Sequence, residues 1–86
     1  MVEYVVTFAR SARRELEAFP RSVVTRVLTR IESLRVSPRP AGCRKLQGTG
    51  ALYRIRIGNY RVIYSVDDEK RVVDVVAVRH RSDAYR

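Results

Sequence analysis

A single cysteine, Cys43, excludes an intramolecular disulfide and fits a reducing compartment. Long apolar runs are absent: Val75–Val78 is far short of the ~20 residues that a bilayer span needs. No basic-then-apolar leader opens the chain, because Glu3 and Arg10 bracket a short run that reads as a strand. His, Cys, Asp and Glu nowhere recur at the spacing of metal ligands, so no metal or other cofactor is expected. A second core is excluded too, since a domain takes roughly 100–200 residues. Residues 1–86 are therefore expected to form one domain, cytoplasmic by default, with 45% hydrophobic residues supplying a thin core.

Acidic residues are scarce where basic ones collect. The chain carries 18 basic and nine acidic residues, a net charge of +9. At both ends the signs cancel, whereas between Arg21 and Val66 ten basic residues face only Glu32. A regional basic field of this kind commonly marks a polyanionic partner. Sixteen of the 18 basic residues are arginine, whose guanidinium fork binds phosphate or carboxylate bidentately and stays charged. Genome composition accounts for the Arg:Lys ratio as well as function does, but it accounts for the clustering less well.

Val2–Phe8 is rich in β-branched and aromatic residues and reads as a first strand. From Ser11 the period becomes helical, with Ala12, Leu16 and Phe19 on one face. Pro20 ends that helix and can open the next, whose apolar stripe runs through Val23, Val24, Val27, Leu28, Ile31 and Leu34. Arg21, Arg26, Arg30 and Arg35 lie on its other, solvated face, and Pro38 and Pro40 prevent continuation. After Lys45-Leu46 and Gly48-Thr49-Gly50 the period falls to two. Leu52–Ile57 and Tyr60–Val66 are strands joined by Gly58-Asn59, with glycine first as a type II′ turn requires. Asp67–Lys70 makes a second turn, and Arg71–Val78, rich in valine on both faces, is an inner strand. The expectation is an α+β domain of order β-α-α-β-β-β, an antiparallel sheet with two N-terminal helices on one face.

The two-residue turn sets the hairpin register and brings like charges together. Tyr53, Ile55, Ile57, Tyr60, Val62, Tyr64 and Val66 fall on the core face, and Arg54, Arg56 and Arg61 on the other. Arg56 and Arg61 are directly opposed, a destabilising arrangement with Cβ atoms ~5 Å apart. Violated local rules concentrate at functional sites; the alternative is solvated arginines whose ends splay apart. Arg79 and Arg81 join the same face if the last turn has three or five residues, and point into the core if it has four. Burying unpaired arginines is costly, so the odd turn is expected.

Tyr53-Arg54-Ile55-Arg56-Ile57-Gly58-Asn59-Tyr60-Arg61-Val62-Ile63-Tyr64, followed by His80-Arg81-Ser82-Asp83-Ala84-Tyr85, resembles the RelE branch of the RelE/ParE toxin superfamily. The early helices, Ser37-Pro38 and Lys45-Leu46-Gln47-Gly48 agree with that pattern. The resemblance implies a metal-independent endoribonuclease that cleaves mRNA in the ribosomal A site. It also implies a cognate antitoxin, RelB-like or another small protein, through which alone the toxin meets operator DNA. The small ribosomal subunit and mRNA would be the other partners, with no membrane involved. By the same resemblance, Arg54 and Arg56 match the family's two basic residues on the second strand, and Arg61 the arginine at the scissile phosphate. Arg81, with Arg79 as alternative, matches the C-terminal arginine, and Tyr85 the tyrosine that stacks on or orients a base. Lys45 lies where a further basic contact is often found.

The residues suit such chemistry. Attack of a 2′-hydroxyl on the adjacent phosphate leaves a cyclic phosphate and a 5′-hydroxyl, and it needs charge stabilisation, alignment and proton transfer. Arginine is a poor base, and some relatives carry lysine where Arg54 and Arg56 stand. The proton role is left to Tyr85 or His80, or catalysis rests on positioning and electrostatics. Strand alternation puts His80 on the face opposite Arg79 and Arg81, where a structural role is the simpler reading. Two other functions fit the residues: a ParE-type toxin that poisons gyrase without being an enzyme, and an RNA-binding module without chemistry.

Overall fold

The computed structural model describes residues 3–48 and 50–82. Strand β1 (Val5–Phe8) leads to helices α1 (Arg10–Glu17) and α2 (Arg21–Ser33). A two-residue strand β2 (Arg44–Lys45) precedes β3 (Leu52–Ile57), β4 (Tyr60–Asp67) and β5 (Val72–His80). The class and the order of the main elements are those expected. The sheet, however, is mixed, with strand order β1-β5-β4-β3-β2. β3, β4 and β5 form the antiparallel meander, while β1 runs parallel to β5 along its outer edge. A parallel neighbour needs a long crossover rather than a hairpin, and the two helices lie within the connection that provides it. β2 is too short to show a period in the sequence.

The first strand is shorter than its composition suggests because Tyr4 has another partner. Its backbone N–H donates to the Arg35 carbonyl at 2.8 Å, and Arg35 reaches Glu3 at 3.1 Å. This draws the segment before β1 toward the end of α2. Helix α1 stops at Glu17, and Phe19 turns inward to meet the Tyr60 ring at 4.8 Å. Pro20 caps α2, accepting bonds from the N–H groups of Val23 and Val24. Ala12, Leu16, Val27, Ile31 and Leu34 pack on Ile55, Ile57, Val62, Tyr64, Val73, Val75 and Val78, so one face of the sheet carries the core. Leu28, expected in the apolar stripe, is 38% exposed, because it sits one residue, or about 100°, round from Val27.

A carboxylate joins the loop after α2 to the last turn. Asp68 accepts a bidentate pair from Arg39 at 3.2 and 2.8 Å and a bond from the Tyr4 hydroxyl at 2.6 Å. Arg39 also donates to the Tyr53 hydroxyl and lies over its ring at 5.2 Å. The bond from Arg39, then that from Tyr4, holds the Asp68 carboxyl below its ordinary pKa. A depressed carboxylate contributes stability that is complete above the unfolded value of about 3.9 and is lost as pH falls through the lowered one. Asp68→Asn is therefore expected to melt below wild type at pH 7, with the gap narrower at pH 2.5. Thermal unfolding followed by circular dichroism at both pH values checks this.

Candidate nucleic-acid interface

The β3–β4 hairpin has the register that its two-residue turn requires: Ile57 opposes Tyr60, Arg56 opposes Arg61, and Arg54 opposes Ile63. Gly58 takes φ 59° while Asn59 keeps a negative φ, as in a type II′ turn. The tip of the Arg26 side chain lies over Gly58, where a Cβ would come within 2.5 Å of it, but that flexible end can move aside, so the positive φ is what calls for glycine. Ile55, Ile57, Val62 and Tyr64 are buried against the helices. Arg54, Arg56 and Arg61 share the opposite face.

Strand β5 reaches this face by a route the sequence did not indicate. Asp67 pairs with Val72, so the turn between them, residues 68–71, has the even length that would turn Arg79 inward. A β-bulge reverses the outcome. Tyr64 pairs with Val75 but Ile63 pairs with Ala77, leaving Val76 as an extra residue in β5. The added residue shifts the parity of everything after it, and Arg79 lands opposite Arg61. The expectation of an odd turn is thus wrong, although the face assigned to Arg79 is right. Arg71 ends the turn in the left-handed region, at φ 58°, with its guanidinium 5.5 Å from the centre of the Tyr4 ring.

Arg56, Arg61 and Arg79 now form a row across three strands. Beyond β5, the backbone N–H of Arg81 donates to the Asn59 carbonyl at 2.6 Å, fastening the C-terminal turn to the hairpin. Arg81 thereby lines an open cleft of about 240 Å³ with Arg56, Gly58, Asn59 and Arg61. A neighbouring hollow on the same face is lined by Arg54, Arg61 and Arg79, with Leu46 and Ile63 as apolar floor. Five charges converge with a strip of apolar surface between them, a combination that can hold phosphates and accept the face of a base.

Two sequence-derived candidates stand elsewhere. Lys45 pairs with Tyr53, which places it toward the core-bearing face, whereas Arg44 pairs with Arg54 and extends the arginine face. Arg44 was missed because a two-residue strand has no alternation from which to read a face. His80 lies on the far side from Arg79, its ring edge-on to Tyr60 at 5.0 Å. Its Nδ1 accepts the Ser82 N–H at 3.2 Å and contacts the Ser82 hydroxyl at 2.9 Å. Tyr85 lies outside the described residues. Among the described residues, no three His, Cys, Asp or Glu side chains gather as a metal would require, and no helix is long and apolar enough to cross a membrane.

Not every arginine is available to this face. Arg35 is shared by Glu3 and Glu32, and Arg39 by Asp68. Arg79 is met from the sheet edge by Glu15 of α1 at 3.2 Å.

Comparison with known proteins agrees with the topology. Residues 6–85 match the model of the ParE toxin of type II toxin–antitoxin systems. Toxin RelG of Mycobacterium tuberculosis is 39% identical, over 96% of this chain and 97% of that protein. The RelBE2 toxin–antitoxin complex of M. tuberculosis contains a chain that superposes with a TM-score of 0.85 at 32% identity, over 96% of this chain and 97% of that one. A chain of the archaeal RelE–RelB complex from Pyrococcus horikoshii gives 0.81 at 33% identity, over 92% and 96%. By sequence and by fold, this chain belongs to the RelE/ParE superfamily of type II toxins, on its RelE side.

Proposed function

We propose that the chain is a ribosome-dependent endoribonuclease that cleaves mRNA in the ribosomal A site and so inhibits translation. The observation that carries this reading is the convergence of Arg56, Arg61 and Arg81 on one cleft, with Arg54 and Arg79 beside it. Attack by the RNA's own 2′-hydroxyl builds negative charge on the phosphoryl oxygens and on the leaving 5′-oxygen. Guanidinium groups fixed on paired strands meet that charge without reorganising, which is the main requirement of phosphoryl chemistry. Arg61, flanked by Arg56 on one strand and Arg79 on the next, is the central phosphate ligand. Arg81 is the second, while Arg44 and Arg54 hold flanking phosphates. His80, engaged by Tyr60 and Ser82, serves the fold rather than proton transfer. Tyr85 is assigned the base-stacking role.

A cognate antitoxin follows from the complexes formed by the relatives, RelBE2 of M. tuberculosis and RelE–RelB of P. horikoshii. An acidic or helical antitoxin segment would pack on the sheet or helices and neutralise or displace the arginine cluster, and operator DNA would be met only through it. The site of action is the cytoplasm, where ribosomes are.

A second reading rests on the family model, whose name is that of the ParE toxins; on it the chain traps gyrase on DNA and cuts nothing. Inducing the chain alone in a bacterial host and mapping new 5′ ends on translated transcripts separates the two. Cuts inside codons, lost in Arg61→Ala and Arg81→Ala, are expected. Growth arrest with trapped gyrase–DNA complexes and no such cuts would transfer the assignment to gyrase.

A further inference from the structure

The outer edge of β5 changes neighbour part way along. β1 pairs with it only over Val72–Val75, and the Ala9 N–H closes that stretch on the Val75 carbonyl at 2.8 Å. Farther on, helix α1 takes over the edge through one side chain. Glu15 Oε1 accepts the backbone N–H of Val78 at 3.0 Å, and Glu15 Oε2 meets Nε of Arg79 at 3.2 Å. One carboxylate thus satisfies an edge donor of the sheet and holds an arginine of the basic face.

The position of that arginine gives the contact its meaning. Arg79 opposes Arg61, which in turn opposes Arg56, so three like charges cross the sheet in register. Directly opposed like charges repel. Arg79, at the outer end of the row, is the one a carboxylate on α1 can reach. The cleft formed by Arg56, Arg61 and Arg81 does not include Arg79, which lines the adjacent hollow instead. The pair is also weak enough to exchange: its side chains are 48% and 32% exposed, and ion pairs that open to solvent hold little net free energy.

We infer that Glu15 is a charge-holding residue that sets the polyanion affinity of the arginine face. It neutralises Arg79 in the free protein and gives it up only when a phosphate of the RNA takes the place of its carboxylate. This rests on the RNA reading proposed above. Binding therefore carries the cost of breaking one ion pair, and the salt dependence of binding is expected to count Arg79 as less than a full phosphate contact.

The test is the salt dependence of binding to a fluorescent single-stranded RNA carrying 2′-methoxy groups, which cannot cleave itself. Glu15→Gln keeps an oxygen for the Val78 N–H but removes the charge. It is expected to bind more tightly at low salt and to steepen the slope of log K against log salt by up to about 0.7, the value of one full phosphate contact on a single strand. Between 50 and 200 mM salt that is roughly a threefold larger loss of affinity. Glu17→Gln, an equal charge change on the exposed partner of Arg13, is expected to leave the slope where it was. Adding Arg79→Ala to Glu15→Gln is expected to abolish the steepening. Equal changes in the Glu15 and Glu17 variants would reduce the effect to net charge and overturn the proposal. Weaker binding by Glu15→Gln at unchanged slope would overturn it in favour of a role confined to the β5 edge. Absence of any salt-dependent binding by the wild-type chain would instead overturn the RNA reading, and this inference with it.

Discussion

Arg61→Ala is expected to lower the cleavage rate on programmed ribosomes by about 10²–10³-fold, the loss of about 2.7–4 kcal/mol seen when a preorganised donor to a developing oxyanion is removed. Arg61 lines both hollows of the basic face, which on the proposed reading puts it beside the reacting phosphate. It also stands on β4, which is paired on both sides and anchored by Val62 and Tyr64 in the core. The backbone that carries the group is therefore held by the fold. Arg61→Lys keeps the charge but loses the planar fork, and an intermediate rate is expected. Single-turnover cleavage of a defined mRNA in the ribosomal A site measures all three proteins. Unfolding curves should nearly coincide, because the side chain is only partly buried. A variant within about threefold of wild type would remove Arg61 from the chemistry.

Tyr64→Ala has the largest expected effect on stability. Tyr64 is the largest of the fully buried side chains, stacked on Tyr53 at 5.9 Å, with its hydroxyl donating to the Pro38 carbonyl at 2.8 Å. Removing a buried aromatic ring costs about 3–5 kcal/mol. An 86-residue domain at roughly 0.05–0.15 kcal/mol per residue has about 4–13 kcal/mol in total. The alanine variant is expected to lose a large share of that stability and to unfold at a much lower urea concentration. Tyr64→Phe leaves the ring and forfeits one hydrogen bond, about 1 kcal/mol. Urea denaturation at 25 °C distinguishes them. Burial first, then Cys43, raises the pKa of the Tyr64 hydroxyl. The advantage of wild type over Tyr64→Phe is then complete below the ordinary tyrosine pKa of about 10 and shrinks as pH rises beyond it. An advantage that stayed constant to pH 11 would show that the hydroxyl titrates alike in both states.

Much of the site could be read before the fold was known, and the hairpin shows why. A two-residue Gly58-Asn59 connection leaves one register, so the opposition of Arg56 to Arg61 and the burial of Ile55 and Val62 followed from local chemistry. The helices were legible for a similar reason: a 3.6-residue period and a proline stop are properties of contiguous residues.

What only the tertiary structure decided lies between segments that are distant in sequence. Whether Arg79 faces Arg61 or the core depends on the turn at residues 68–71 and on the bulge at Val76. Nothing in Val75-Val76-Ala77-Val78 marks which valine is the extra one, because each would be at home in a buried strand. Arg44 rather than Lys45 joins the basic face because a two-residue strand takes its register from β3 and carries no signal of its own. The parallel seat of β1 and the grip of Glu15 on Arg79 belong to the same class. Alternation within a strand is set by the chain's own covalent geometry, whereas pairing between strands is chosen by whichever packing buries the most apolar surface. The sequence by itself determined the arginine cluster on the hairpin; the packed sheet decided which further arginines it would contain.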